Sequence, residues 1–208
     1  MRRIALVSIL VAAGVVGCRE RTVGTSAAPS LDSAPLPAPS TPPRSDLSIY
    51  VLSMTLTDQN GEKVGLDVFR GKPVFVGMFY GTCPSACPML ISTIKQAMSK
   101  LDAATAAEVR VLLVSFDPVR DTPEALRAIV TRRELDPRWK LASAPEDQVR
   151  DLAALLGVQY RRLPDGNFSH TSSIVLLNRA GAIDTRLDDT AQPVNSLVVR
   201  ARAISVTN

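Results

Sequence analysis

Two apolar segments separated by an amphipathic one constrain the fold of this chain more than any other feature. Residues 74–80 and residues 109–116 are nearly continuous apolar runs, which are typical of strands buried on both faces of a sheet. Between them, apolar side chains recur at helical spacing from Leu90 to Leu101, and lysine, glutamine and serine occupy the opposite face. Parallel strands need a crossover of this length, so the pattern predicts a βαβ unit.

Turn signals predict a hairpin on each side of this unit. Asn60-Gly61 lies between residues 52–56 and residues 64–69, and an Asn-Gly pair between such segments is a strong hairpin signal. Near the other end of the chain, residues 178–181 separate two further apolar segments and predict a closing hairpin.

Two more helices are predicted between the second strand and the closing hairpin. Pro123 is typical of the first turn of a helix, and Ser143 with Glu146 has the spacing of a capping box for a helix that ends at Gly157. This order of elements matches the thioredoxin-like fold. We therefore predict an α/β protein of that fold, with a central mixed sheet flanked by helices and an N-terminal β-hairpin extension.

Composition indicates one globular domain with appendages. The chain has 208 residues, of which 46% are hydrophobic and 21% are charged. Residues 47–208 are predicted to form the domain, since they are enough for one core. The formal net charge is +4, and the sequence has no basic stripe with interleaved aromatic residues, so nucleic acid is not an expected partner.

Residues 1–17 have the pattern of an export signal, with Arg2 and Arg3 before an apolar run that is too short to span a bilayer. The run ends at Gly17-Cys18 and resembles a bacterial lipoprotein signal, which implies lipidation of Cys18. An ordinary secretory signal and an uncleaved amphiphilic start are the alternatives. Residues 18–46 are rich in proline, serine and alanine and are predicted to be a lipidated N-terminus and a disordered tether. We expect a protein of the bacterial cell envelope, attached to a membrane through its lipid anchor.

A single cysteine pair remains in the domain if Cys18 is lipidated. A disulfide between Cys83 and Cys87 would close a loop of only a few residues and would remove little chain entropy, which argues against a purely structural role. Both cysteines lie between the first buried strand and the first helix, where unpaired N–H groups and the helix dipole favour thiolate. Their spacing brings both side chains to one helical face. The pair is predicted to be reactive, either in redox chemistry or in metal binding.

His170 is the only histidine of the chain, and it precedes the apolar segment of residues 174–177. In thioredoxin-like folds the loop that enters this strand passes next to the reactive cysteines. Two thiolates and an imidazole suit copper as Cu(I) or Cu(II), whereas a structural zinc site normally needs four ligands. A lone histidine is more often a solvated or core residue than a metal ligand. The predicted position of His170 beside the cysteines nevertheless favours the ligand role.

Two acidic residues follow the second predicted strand, at the same sheet edge as the cysteines. Asp117 or Asp121 is predicted to act as a weak oxygen ligand or as a hydrogen-bonding partner of His170. The alternative is that Asp121 or Thr122 caps the next helix.

Three sequence blocks resemble the signature blocks of the Sco/SenC family. They are YGTCPSACP at residues 80–88, SFDPVRDTP at residues 115–123 and HTSS at residues 170–173. The chain departs from the usual family residues at Gly81, Phe116 and Asn178, none of which is a proposed ligand. By this resemblance, Cys83, Cys87 and His170 are the expected copper ligands.

The resemblance implies a copper metallochaperone for the dinuclear copper site of cytochrome c oxidase subunit II, on the periplasmic face of the cytoplasmic membrane. Some family members act instead, or also, as thiol-disulfide oxidoreductases that keep the cysteines of the target reduced. This activity would use Cys83 and Cys87 as a redox-active disulfide and would require a periplasmic thioredoxin-like reductant. A copper or redox sensor is a third alternative. The sequence feature that favours a copper carrier over a reductase is His170, which a dithiol reductase does not need.

Overall fold

The computed structural model describes residues 47–83 and 86–206. The predicted signal, Cys18 and the predicted tether lie outside the described residues. The strands in these described residues are β1 (Thr55–Asp58), β2 (Lys63–Gly65), β3 (Val74–Phe79), β4 (Arg110–Ser115), β5 (Trp139–Ser143), β6 (Tyr160–Arg162), β7 (Phe168–His170), β8 (Ile174–Leu177) and β9 (Ile183–Leu187). The α-helices in the same part of the chain are α1 (Ala86–Ser99), α2 (Ala103–Glu108), α3 (Pro123–Arg132), α4 (Glu146–Leu156) and α5 (Asn195–Val206).

Seven strands form one mixed sheet in the order β2-β1-β5-β4-β3-β8-β9. Strand β4 pairs in parallel with β3 and with β5, whereas β1 and β8 pair antiparallel to β5 and β3. The predicted βαβ unit is therefore confirmed as β3-α1-β4. The hairpin predicted at Asn60-Gly61 is also confirmed, and it forms one edge of this sheet rather than a separate layer.

The centre of the sheet is buried, as the apolar runs predicted. All six residues of β3 are buried, and so are the last five residues of β4. Helix α1 packs its apolar stripe on this surface, with Leu90, Ile94 and Ala97 each at most 1% exposed. Removal of this apolar surface from water is the main force that fixes the sheet and α1, each buried leucine contributing about 2 kcal/mol.

Several elements differ from the predicted ones. Strand β5 and helices α2 and α5 were not predicted, and the segment after β2 forms a 3-10 turn over Leu66–Phe69 rather than a longer strand. The capping box was wrong: Ser143 is the last residue of β5, and Pro145 precedes α4 without a side-chain cap. The end of that helix was correct, because Gly157 adopts the left-handed conformation, with φ of 66°.

A separate two-stranded sheet is made by β6 and β7, with Tyr160 opposite His170. His170 was expected in a loop but ends a strand of this hairpin, and β8 begins four residues later. No helix among residues 47–83 and 86–206 combines the length and the apolar character that crossing a membrane would require.

Candidate metal centre

The two cysteines lie at the junction between the end of β3 and the start of α1. Strand β3 ends at Phe79, and Cys87 is the second residue of α1. The Cys83 N–H donates to the Tyr80 carbonyl at 3.2 Å, which closes a tight turn after the strand. Both side chains are buried and both are thiols. The loop therefore delivers two sulfur atoms to the carboxyl-terminal edge of β3.

Backbone N–H groups point at both sulfur atoms. The Cys87 N–H donates to Cys83 Sγ at 3.3 Å, and the Tyr80 N–H donates to Cys87 Sγ at 3.4 Å. Such bonds stabilise sulfur most when it carries negative charge, as it does when it binds a metal ion. This part of the chain is arranged to accept the charge that two thiolates would bring.

His170 approaches the cysteines from the β6–β7 hairpin. Its Nδ1 lies 3.1 Å from the carbonyl oxygen of Thr171. Because a carbonyl only accepts, this contact requires Nδ1 to carry the hydrogen in the neutral ring, which leaves the lone pair on Nε2. A backbone partner of this kind fixes the orientation of a metal-binding imidazole.

The three side chains converge. The ligand atoms that Cys83, Cys87 and His170 offer all lie within 4.8 Å of one another. Two sulfurs and one imidazole nitrogen form a donor set for a soft or borderline metal ion. The sequence analysis predicted that these three side chains are neighbours, and in the structure they are.

Burial raises the pKa of the Cys87 thiol, and the neighbouring Cys83 and Asp121 raise it further, although the Tyr80 N–H acts in the opposite direction. The metal-free protein therefore keeps Cys87 protonated at neutral pH. A metal ion that binds this sulfur must displace its proton, so binding is expected to strengthen as the pH rises.

Comparison with known proteins decides the family. A model of the SCO1/SenC family matches residues 45–204. The chain belongs to the SCO1/SenC family.

Individual SCO1/SenC relatives are distant in sequence. The SCO2-like protein of Rickettsia prowazekii is 26% identical over 132 residues, which are 61% of this chain and 63% of the relative. The chain spans less than two thirds of the length of two curated relatives that it matches, at 63% and 65%.

Solved SCO1/SenC structures share the fold. The copper-bound ScoI of Bradyrhizobium japonicum is 26% identical with a TM-score of 0.59, and the alignment covers 73% of this chain and 96% of that one. BsSco, described as a member of the Sco family of cytochrome c oxidase assembly proteins, is 20% identical with a TM-score of 0.64, over 74% of this chain and 92% of that one. The predicted thioredoxin-like fold is confirmed by these Sco structures.

An aromatic cluster surrounds the histidine of this SCO1/SenC chain. The ring of Phe116 lies 5.0 Å from the His170 ring, and Tyr80 lies 5.8 Å from it, edge-on. Phe168 contacts both of these aromatic rings, and Tyr160 stacks on Phe116. Sequence reasoning missed this cluster, although the sequence contains a signal for it. Tyr80 and Phe116 directly follow the two buried strands, and Phe168 is two residues from His170.

Asp117 is buried among arginines rather than beside the cysteines. It is 1% exposed, and it pairs with Arg120 and, at 3.2 Å, with Arg162. Arg120 also donates to the carbonyl of Gly166 at 2.7 Å, in the turn between β6 and β7. Asp117 thus contacts the hairpin of His170 directly through Arg162 of β6 and indirectly through Arg120. Its prediction as a weak ligand stays a prediction, and it is outside the group of converging ligands.

Asp121 supports the loop that carries the cysteines. Its carboxylate accepts the Gly81 N–H at 2.9 Å and the Ser115 hydroxyl. Burial raises the pKa of Asp121, while the bonds from Ser115 and Gly81 oppose that rise. Of the two caps considered for α3, Thr122 is the one that forms, through a bond from the Ala125 N–H. Asp121 is also outside the converging group, so its ligand role likewise stays a prediction.

Proposed function

We propose that this chain is a copper metallochaperone of the cell envelope. Copper is its cargo, bound by Cys83, Cys87 and His170. The observation that carries the proposal is the convergence of these three ligand atoms within 4.8 Å. The copper-bound ScoI of Bradyrhizobium japonicum supports the identity of the ion, because it shares the fold and 26% of its residues with this chain.

The recipient that we propose is the dinuclear copper site of cytochrome c oxidase subunit II. Family membership and the description of BsSco as one of the cytochrome c oxidase assembly proteins support this choice. Cys83 and Cys87 line a small cleft together with Gly81, Ile129 and Arg132. Thiolates of a partner can approach through this cleft and take the ion by ligand exchange, so that copper is never released to solvent.

Copper titration of the reduced full chain tests the ligand set. A Cys18→Ser background leaves Cys83 and Cys87 as the only thiols. In this background, His170→Ala is expected to weaken Cu(II) binding and to change its thiolate charge-transfer absorption, while Cu(I) binding by the two thiolates is weakened less. Cys83→Ser is expected to weaken both. Unchanged Cu(II) affinity and absorption in His170→Ala would show that histidine is not a ligand, and tight binding by Cys83→Ser would exclude the whole site.

A second candidate function uses the same sulfurs as a dithiol. The Cys83 and Cys87 side chains are thiols whose sulfur atoms lie within 4.8 Å of each other, so a small movement brings them to disulfide distance. In this role the pair reduces a disulfide of the oxidase subunit, becomes a disulfide itself and is regenerated by a periplasmic thioredoxin-like reductant. Reduction of an oxidised subunit II domain by the metal-free chain, with the His170→Ala variant equally active, would favour this function.

The location follows from the sequence pattern of the N-terminus. We propose that residues 1–17 are a lipoprotein signal, that Cys18 is lipidated, and that residues 18–46 hold the 47–208 domain away from the periplasmic face of the cytoplasmic membrane. Metabolic labelling with a fatty acid tests this: the wild-type chain is expected to be labelled and Cys18→Ser is not. Label retained in the Cys18→Ser variant would contradict the assignment.

A further inference from the structure

A groove of about 560 Å³ lies beside the metal centre, between the end of β4, helix α4 and the β6–β7 hairpin. Its floor is aromatic, formed by Phe116 and Phe168, and its rim carries Arg150, Arg161 and Arg162. The function proposed above assigns no role to this groove. We propose that it docks an acidic segment of the protein with which the metal centre exchanges copper. This inference rests on the proposed function for the identity of the cargo, but not for the binding of the segment.

The position of the groove ties it to the metal centre. Phe116 lines the groove, and its ring lies 5.0 Å from the ring of His170. Phe168 lines it as well and is two residues from His170 in the same strand. These two rings therefore separate the groove from His170, one ligand of the proposed copper ion, although none of the three ligands lines the groove itself. A segment seated on the rings is held close enough to the metal centre for the rest of its protein to reach the ion.

The charge of the groove selects an anionic occupant. Its lining holds three arginines and one acid, Glu146. Arg162 is already paired with the buried Asp117 at 3.2 Å, so Arg150 and Arg161 are the positive charges that an occupant meets. The closest charged atoms of Glu146 and Arg150 are 3.9 Å apart, and the two side chains are 71% and 64% exposed, respectively. Such an exposed pair is weak and leaves Arg150 available. Arg161 is exposed and forms no ion pair within residues 47–83 and 86–206.

The polar and apolar parts of the groove fit a peptide segment. The Tyr160 hydroxyl is buried and has no hydrogen-bond partner in the described part of the chain, and Tyr160 lines the groove. A shift of the ring toward the groove would let a carboxylate that enters accept from this hydroxyl, which otherwise carries the cost of an unsatisfied buried group. Val119, 80% exposed, adds an apolar contact at the rim. Buried aromatic surface inside an arginine rim is the usual anatomy of a protein docking site.

The concave shape favours a protein segment over a membrane. Arg150 lies on α4 and Arg161 on β6, while the aromatic floor lies between these elements. A bilayer presents a broad surface that contacts protruding basic residues, and it does not fill a recess. An extended acidic peptide can place carboxylates on the rim and an apolar side chain on the floor at the same time.

Binding of a short peptide of alternating glutamate and tyrosine to the metal-free, reduced full chain tests the inference. Fluorescence anisotropy is expected to show binding that weakens with salt, because the Debye length is about 10 Å at 0.1 M ionic strength. Arg161→Gln is expected to weaken binding about two- to fivefold, and Arg150→Gln combined with Arg161→Gln about five- to twentyfold. Tyr160→Phe is expected to weaken it about two- to tenfold.

Controls separate this inference from the alternatives. Arg202→Gln removes an exposed arginine of α5 that does not line the groove, and it is expected to leave binding unchanged. An equal loss in Arg202→Gln, or no loss in the double variant, would overturn the inference. Vesicles containing phosphatidylserine serve as the membrane probe. Binding of these vesicles that depends on Arg150 and Arg161, without peptide binding, would make the groove a lipid site and overturn the inference.

The peptide assay contains no copper, so its outcome is independent of the ligand assignment. Peptide binding by a chain that fails the copper titration would refute the proposed function and leave the groove as a docking site. Copper binding by a chain that fails the peptide assay would do the reverse. Circular dichroism of each variant confirms that the fold is retained.

Discussion

Arg120→Gln tests how the histidine is held beside the cysteines. Cys83 and Cys87 belong to the main sheet and α1, whereas His170 belongs to the separate β6–β7 sheet. Arg120 joins the two parts, because it pairs with the buried Asp117 after β4 and donates to the Gly166 carbonyl in the β6–β7 turn. We expect the substitution to loosen the hairpin and to weaken Cu(II) binding more than Cu(I) binding.

The magnitude follows from the bonds that are lost. A hydrogen bond to a charged group contributes about 1.5–3 kcal/mol, but Arg120 is 36% exposed, and Arg162 still pairs with Asp117 in the variant. A loss of about 2 kcal/mol is therefore expected, which lowers the melting temperature by about 4–8 °C for a domain of this size. If all of that energy serves to hold the hairpin in place, Cu(II) affinity falls about thirtyfold. If the aromatic contacts keep His170 close to its wild-type position, Cu(II) affinity falls about threefold.

The assay is parallel titration with Cu(II) and Cu(I) in the Cys18→Ser background, with Cu(II) paramagnetic resonance as a direct report of nitrogen ligation. Arg127→Gln is the matched control, since Arg127 is an exposed arginine that also donates to a backbone carbonyl, that of Gln59, at 3.2 Å. The control is expected to leave both affinities unchanged. A lower melting temperature in Arg120→Gln with unaltered Cu(II) affinity and resonance spectrum would refute the positioning role and leave Arg120 as a purely structural residue.

Three further outcomes are expected. Burial raises the pKa of Cys87 above its ordinary value of 9.0, so its contribution to metal-free stability is present below pH 9.0 and is lost as the pH rises through the folded pKa; urea unfolding above pH 9.0 should show a smaller decline in Cys87→Ala than in wild type, and an equal decline would contradict this. Because burial also raises the pKa of Asp121, its contribution to stability is present below pH 3.8 and is lost as the pH rises through the folded pKa. Denaturant unfolding of Asp121→Asn should therefore depend less on pH above 3.8 than that of wild type and show no loss beyond about 1 kcal/mol at neutral pH. Gly81→Ala would bring its Cβ into collision with Asp121 Oδ1 and place it 3.2 Å from Ile129 Cδ1, so the free energy of unfolding should fall by about 1–3 kcal/mol; wild-type stability would contradict this.

The central part of the fold was predictable because it rests on local patterns. Continuous apolar runs specify strands buried on both faces, and the stripe from Leu90 to Leu101 specifies the helix between them. Strand β5 escaped prediction because Trp139–Ser143 is short and its last residue, Ser143, was assigned to a capping box of the next helix. Helix α5 escaped because only part of its surface is apolar, and its burial depends on contacts with distant elements.

The convergence of the three side chains in the candidate site was predictable from the sequence, but the contacts that support them were not. Cysteine spacing and a single histidine were sufficient to select three side chains that converge. The roles of Asp117 and Asp121 depend on tertiary contacts that the sequence does not encode locally. Asp117 meets Arg162 across 45 positions of sequence, and Asp121 meets Gly81 across 40. The sequence analysis predicted that both acids lie near the site, but it could not predict which groups they contact.

The division of the site between two sheets bears on how a carrier can both hold and release its ion. The two sulfurs sit on a buried junction of β3 and α1, where the backbone N–H groups of Tyr80 and Cys87 fix them. The imidazole belongs to the β6–β7 hairpin, which is attached to the rest of the domain by Arg120, by the Arg162–Asp117 pair and by aromatic contacts. A partner that occupies the groove lined by Phe116 contacts the attachment of the hairpin rather than the sulfurs. In the proposed carrier, docking of the partner is therefore expected to disturb the His170 ligand before the two cysteines. Cys83 and Cys87 would then pass the ion to the thiolates of the partner.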